Sequence, residues 1–276
     1  MKWTAHNVRL GEEYALGEPT VGAAELMDAR VVQLASDLLG PLDGLRVLDL
    51  ACLEGLYGLE LAMHGASVVA TEGREVNAER VRFAAERLRP QDFRLEIADV
   101  RDLSPETTGT FDLVLCLGIL YHLGAEDAVR LAQAVADCTE RVAFFRTAVG
   151  LSDSASFSGY RGFDYPEPET AWSSMGNRTS FWPTRASLLN LLLDVGFTSV
   201  MEVVGPPVLE IDGAPDGTFL VAMKGNPVEV RAAPPKAATE LRGERWPERT
   251  SFEPHPAQRR GWQSKKRYWQ RKTRRA

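Results

Sequence analysis

The sequence predicts an α/β fold: a doubly wound, mostly parallel sheet of seven strands with helices on both faces and the last strand antiparallel. Three observations predict it. From residue 46 onward, short apolar runs alternate with amphipathic helical stretches, the pattern of a parallel sheet covered on both faces. The first of these runs ends in Asp49, and a tight segment then leads to Gly55, which opens a helix; a doubly wound domain starts its nucleotide-type pocket in this way. The last two apolar runs are joined by a loop holding Pro206, Pro207 and Gly213. No crossover helix fits there, so these two strands pair antiparallel.

Taken in order, residues 1–24 place Trp3, His6 and Tyr14 among polar and glycine positions without periodicity and read as an N-terminal arm. Between 23 and 39, Leu26, Val31, Leu34, Leu38 and Leu39 recur at helical spacing, and Gly40 with Pro41 stops the helix. The core follows: strand 46–50, helix 57–64 closed by Gly65, strand 67–71, helix 74–88 ended by Pro90, strands 93–97 and 111–117, helix 125–138 and strand 141–147. A long insertion, 148–182, precedes a leucine-rich helix at 184–195 and the closing strands at 199–204 and 218–223. The expected units are therefore an arm and helix at 1–44, one domain at 45–224, a Pro-rich linker at 225–258 and a basic aromatic tail at 259–276.

Composition narrows the classes. The chain of 276 residues suits one large domain with appendages. Its first 20 residues carry Lys2, Arg9, Glu12, Glu13 and Glu18, so no early apolar leader or membrane span is expected and the expected location is the cytoplasm. Cys52, Cys116 and Cys138 have no C-x-x-C spacing and read as small buried residues, not as a disulfide framework or zinc site. The net charge of −6 hides an asymmetry. Between Arg259 and Arg275 basic residues stand without an acidic one, interleaved with Trp262, Tyr268 and Trp269. Such a run can contact nucleic acid or another polyanion, or it can be a solvated extension.

Positions at the carboxyl ends of the strands are where an open α/β sheet binds its ligand. Glu72, 23 residues after Asp49, is placed to accept ribose hydroxyls or is an exposed loop carboxylate. Asp99 and Val100 follow the third strand, where Asp99 is a ligand-binding carboxylate or a helix cap, the latter a part that Asp102 or Ser104 suits better. Leu117, Tyr121 and His122 follow the fourth. His122, neutral near pH 7, is a general-base candidate or a packing residue of the strand-to-helix junction; Tyr121 shares that ambiguity. The insertion holds Phe157, Tyr160, Arg161, Phe163, Tyr165, Trp172, Arg178, Phe181 and Trp182. A long loop on the ligand side of a sheet is usually a lid or binding loop. Tyr160, Arg161, Arg178 and Trp182 are its substrate-contact candidates, the arginines for an anionic group and the aromatics for stacking; several of the aromatics equally suit a small core beneath the loop.

The stretch from Arg46 to Gly58, the phrase Gly118-Ile119-Leu120-Tyr121-His122, and Ser180-Phe181-Trp182-Pro183-Thr184 leading to Gly196-Phe197 resemble the class I S-adenosylmethionine-dependent methyltransferases. Within that family the last two phrases are similar to the branch that includes the tRNA wobble-uridine enzymes of the mo5U/cmo5U type. The resemblance spans about residues 45–224 and implies a Rossmann-like, seven-stranded sheet, S-adenosylmethionine as cofactor, and methyl transfer. It implies that Asp49, Ala51 and Gly55 lie under the methionine part of the cofactor, Glu72 on the ribose, Asp99 and Val100 on the adenine, and Leu117 near the reactive methyl. Ala51 and Leu53 stand where the family usually has glycine. Leu53 would be strained at positive φ, so the turn is expected to differ or to be held by packing.

No Asn/Asp-Pro-Pro-Tyr/Phe motif of the kind used on exocyclic amines is present, nor a Pro-Cys pair of the kind that attacks pyrimidine carbon. Oxygen is therefore the expected acceptor atom. The first expectation is metal-free O-methylation of a small molecule or glycan hydroxyl. The alternatives are an RNA methyltransferase anchored by the basic tail and a non-catalytic binding module. Nothing in the sequence sets the oligomeric state.

Overall fold

The computed structural model describes residues 3, 8–10, 13–15, 22–150, 152–167, 175–203, 217–226 and 238–241. The tail at 259–276, most of the segment 225–258, the loop with Pro206, Pro207 and Gly213, and Trp172 lie outside them. A hairpin of β1 (Val8–Leu10) and β2 (Glu13–Ala15) leads to α1 (Gly22–Leu39). The core runs β3 (Arg46–Asp49), α2 (Leu56–Met63), β4 (Ser67–Glu72), α3 (Glu75–Leu88), β5 (Phe93–Ile97), the short α4 (Pro105–Thr108), β6 (Phe111–Leu117), α5 (Ala125–Cys138) and β7 (Thr139–Ala148). Then come β8 (Ala155–Phe157), β9 (Tyr160–Pro166), β10 (Thr179–Pro183), α6 (Arg185–Asp194), β11 (Ser199–Val203), β12 (Gly217–Met223) and β13 (Ala238–Leu241).

The main sheet has the order β13-β11-β12-β7-β6-β3-β4-β5. β3 through β7 pair parallel, whereas β12 runs antiparallel to both β7 and β11. Seven of these strands are the expected ones, in the expected directions. Ala238–Leu241, from the segment read as a linker, adds an eighth by pairing with β11. Strand order reverses at β3, so the ligand crevice of this topology opens at the carboxyl ends of β3 and β6.

Both faces of the sheet are buried. Along β6, Leu113 and Leu115 pack with α1 and α2, while Val114 and Cys116 pack with α5 and α6. Period-two alternation of uniformly apolar residues is what a sheet covered by helices on both sides requires. Trp3 and Val8 of the N-terminal arm join the α1–α2 layer. All three cysteines are buried and unbonded.

The insertion differs from a simple loop. Its described residues form a three-stranded antiparallel sheet, β8-β9-β10. Ser158 and Gly159 turn the first hairpin at φ of 48° and 86°, a two-residue turn with both positions left-handed, whose twist matches that of the flanking strands.

Candidate functional site

Asp49 ends β3 and is 1% exposed. Its Oδ2 accepts the Gly58 N–H at 3.0 Å, and a Cβ on Gly58 would lie 2.8 Å from that oxygen, so only glycine lets α2 approach the carboxylate. Burial, assisted by the charge of Glu72 and opposed by the Gly58 N–H, pushes the Asp49 pKa up to about 7.

The turn after Asp49 keeps the glycine shape without the glycines. Ala51, Leu53 and Gly55 have φ of 49°, 56° and 82°. Backbone hydrogen bonds hold it: the Cys52 N–H donates to the Thr71 carbonyl and the Gly55 N–H to the Cys52 carbonyl, both at 2.8 Å. Leu53 N–H donates to Glu72 Oε2 at 2.9 Å. The sequence predicts a turn that differs or is held by packing; instead Leu53 takes the left-handed φ itself, and hydrogen bonds hold the turn against the strain.

Glu72 is buried, not an exposed loop carboxylate. It accepts N–H bonds from Leu53 and Arg74, each at 2.9 Å, and one from Asn77 Nδ2 at 3.3 Å. Burial raises its pKa while these donors pull it back. Three donors fill most of a carboxylate's capacity, so a ligand hydroxyl bonding here shares the group with the turn. Asp99, after β5, caps the 3₁₀ turn Val100–Asp102 by accepting the Arg101 N–H at 2.9 Å. The Arg101 guanidinium also grips it and holds its carboxyl below the usual range. Leu117 ends β6 half-buried, and Gly118 turns away at φ of 104°.

These groups fit the cofactor that the resemblance implies. Carboxylates stand at the ends of the three neighbouring strands β3, β4 and β5; both oxygens of Asp99 already accept from Arg101, so a ligand amine there shares or displaces that pair. The turn beneath them has the left-handed backbone at every position where glycine would otherwise supply it.

The next strand end carries different chemistry. The 3₁₀ turn Leu120–His122 follows β6, and His122 Nδ1 lies 3.3 Å from Glu167 Oε1. The side chain of Glu167 is 2% exposed and that of His122 16%. Burial lowers the His122 pKa, opposed by Glu167 and reinforced by the nearby Arg74 charge. The imidazole is therefore neutral at pH 7, and with Nδ1–H donating to the carboxylate, Nε2 carries the lone pair.

The insertion supplies the walls. Trp182 Nε1 donates to the Tyr121 carbonyl at 3.0 Å, and its ring stacks on Tyr165 with centroids 4.3 Å apart. Tyr121 meets Trp182 edge-on and lies 4.1 Å from His122, centroid to centroid. Asn177 Nδ2 donates to the His122 carbonyl, and the Arg178 carbonyl accepts the Glu167 N–H. Met175 reaches further, its Sδ only 2.8 Å from where a Gly73 Cβ would sit. Of the predicted substrate residues, Trp182 meets Tyr121, the neighbour of His122, and the Arg178 backbone bonds Glu167, the partner of His122. Tyr160 and Arg161 instead bond Asp194 and Asp153. Sequence reasoning missed Glu167, Glu54, Asn77 and Arg80; the last two lie on the inward face of α3 with Val81 and Ala84, at helical spacing that could have marked them.

Residues 47–141 match the family model described as "Methyltransferase domain". The chain is 35% identical over 168 residues to the 23S rRNA (uracil(1939)-C(5))-methyltransferase RlmD of Alkalilimnicola ehrlichii, covering 54% of this chain and 37% of that one. It is 32% identical over 120 residues to the magnesium-protoporphyrin O-methyltransferase of Rhodobacter capsulatus, covering 43% of this chain and 51% of that one. The chain thus spans at most about half the length of these curated relatives. A solved structure of the N-terminal domain of EvdMO1, determined in the presence of SAH and D-fucose, superposes with a TM-score of 0.66 at 26% identity, covering 81% of this chain and 91% of that one.

Proposed function

We propose that this chain, which belongs to the class I S-adenosylmethionine-dependent methyltransferases, moves a methyl group onto a hydroxyl oxygen of a small molecule or glycan. The observation that carries the reading is the buried His122–Glu167 pair at the end of β6, one strand from the row of carboxylates. S-adenosylmethionine, when bound, supplies an electrophilic methyl group on a sulfonium. Glu72 holds the ribose, Asp99 with the Val100 amide holds the adenine, and Asp49 with the turn through Ala51 and Gly55 holds the methionine part beside Leu117. His122 Nε2 takes the proton of the acceptor hydroxyl, and Glu167 keeps Nδ1 protonated and the ring oriented. Tyr121, Tyr165 and Trp182 give an aromatic cluster, Tyr121 edge-on to the Tyr165–Trp182 stack, against which a sugar or ring system packs. The presence of D-fucose with the structurally similar EvdMO1 domain supports a sugar acceptor.

Calorimetric titration with S-adenosylhomocysteine tests the cofactor half. Asp99→Ala and Glu72→Ala are expected to weaken binding, each by about tenfold or more; unchanged affinity in both would sink the assignment. For the acceptor half, His122→Ala is expected to lower the methyl-transfer rate by about a hundredfold with cofactor affinity retained. Glu167→Gln removes a charge that raises the His122 pKa, so the acid limb of the rate profile should move to lower pH.

RNA is the second acceptor we consider, supported by the basic aromatic run at 259–276 and the likeness to an rRNA enzyme. Deleting that run would then abolish a steeply salt-dependent RNA affinity.

A further inference from the structure

Glu54, Asn77 and Arg80 form, with Glu72, a buried polar circuit under the strained turn. Glu54 stands between Leu53 and Gly55, both left-handed, and its side chain is fully buried, 3.4 Å from Arg80 Nη1. The same Nη1 donates to Asn77 Oδ1 at 2.9 Å. Asn77 Nδ2 donates to Glu72 Oε1 at 3.3 Å, and Glu72 Oε2 accepts the Leu53 N–H at 2.9 Å. The circuit closes through the peptide bond from Leu53 to Glu54.

We infer that Arg80 and Asn77 are positioning residues that hold Glu72 and the turn in the geometry that receives the cofactor's ribose. This rests on the ribose role proposed above for Glu72. An ion pair is a poor way merely to fill buried space, because apolar side chains of similar volume do so at least as well. Its value here is directional. Arg80 fixes which end of the Asn77 amide faces Glu72: with Nη1 claiming Oδ1, the NH₂ group must point at the carboxylate. Without Arg80 the amide oxygen loses its donor, and only the 3.3 Å bond to Glu72 is left to hold the side chain in place. Arg80 Nε has no hydrogen-bond partner among the described residues, so the guanidinium is seated to serve Nη1 at the expense of another donor.

The test compares S-adenosylhomocysteine with its 2′-deoxyribose analogue by calorimetric titration of the full chain. The wild type is expected to prefer the ribose compound. In Asn77→Ala and Arg80→Met, affinity for that compound should fall about tenfold, as for members of one hydrogen-bonded network. The deoxy analogue should be little affected, so the preference collapses. Asn77→Ala leaves the Glu54–Arg80 pair in place and decides the matter if Arg80→Met does not fold. Parallel weakening of both compounds, or no change in either, overturns the positioning role and leaves the proposed function standing. A wild type that binds both equally removes the ribose role of Glu72 and this inference with it, while one that binds neither removes the proposed function as well.

Discussion

Two residues in the turn after β3 carry left-handed backbone that glycine normally supplies. For an L-residue that conformation costs about 1–2 kcal/mol. Ala51→Gly should therefore raise the unfolding free energy slightly, by at most about 1 kcal/mol after the added freedom of the unfolded chain is counted. Leu53→Val keeps an apolar side chain but puts a β-branch at the same φ of 56°, and is expected to destabilise by about 1–3 kcal/mol. Urea unfolding of both variants checks the pair; a stabilising Leu53→Val would contradict the strain. Asp49 gives a pH signature. With its pKa pushed up to about 7 in the fold and near 3.8 when unfolded, the native state binds more protons between those values. Its contribution to stability is therefore full below about pH 4 and lost as pH rises through 7. Asp49→Asn, which keeps an acceptor for Gly58, should gain stability relative to wild type on going from pH 4.5 to pH 8, by on the order of a few kcal/mol. Equal pH slopes in the two proteins would refute it. Asp49, Glu72 and Asp99 were legible because strand ends mark them. Glu54, Arg80 and Glu167 were not, because a charged residue ordinarily reads as solvated and its burial depends on a partner distant in sequence.

At the scale of elements, the seven expected strands and the longer helices were legible to within a residue or two, since uniformly apolar strands and 3.6-period helices leave a strong pattern. The insertion's small sheet was not. Its strands are short and mixed in polarity, and their pairing rests on close backbone approach. The available signal was the Ser158-Gly159 dipeptide between Phe157 and Tyr160, a turn signature flanked by aromatics. Gly162 shows how closely β9 and β10 approach: a Cβ there would fall 2.5 Å from the Trp182 carbonyl oxygen and 2.6 Å from the Phe181 ring. Gly162→Ala must push β10 away from β9 and is expected to cost about 1–3 kcal/mol. Because β10 carries Trp182, the displacement should also raise the KM for the acceptor while S-adenosylhomocysteine affinity stays unchanged. Equal loss of both would show that the insertion supports the cofactor crevice as well.

Across the whole molecule, the topology gathers the chemistry along one rim. Carboxylates at the ends of β3, β4 and β5 and the His122–Glu167 pair beyond β6 straddle the point where strand order reverses. The opposite concern is what closes the sheet's far side. β13 lies outside β11 and covers its hydrogen-bonding edge at Val200–Val203, although the strand falls in a segment whose prolines read as a linker. A chain ended at residue 224, where the apolar pattern stops, would leave that edge bare, and a bare strand edge templates pairing with another copy. Light scattering should then find concentration-dependent association that a chain ended at residue 245 lacks. The four residues Ala238–Leu241 thus act as a selvedge, and anyone trimming this protein for expression or storage should expect fraying into aggregate on one side of them and a durable, filterable solution on the other.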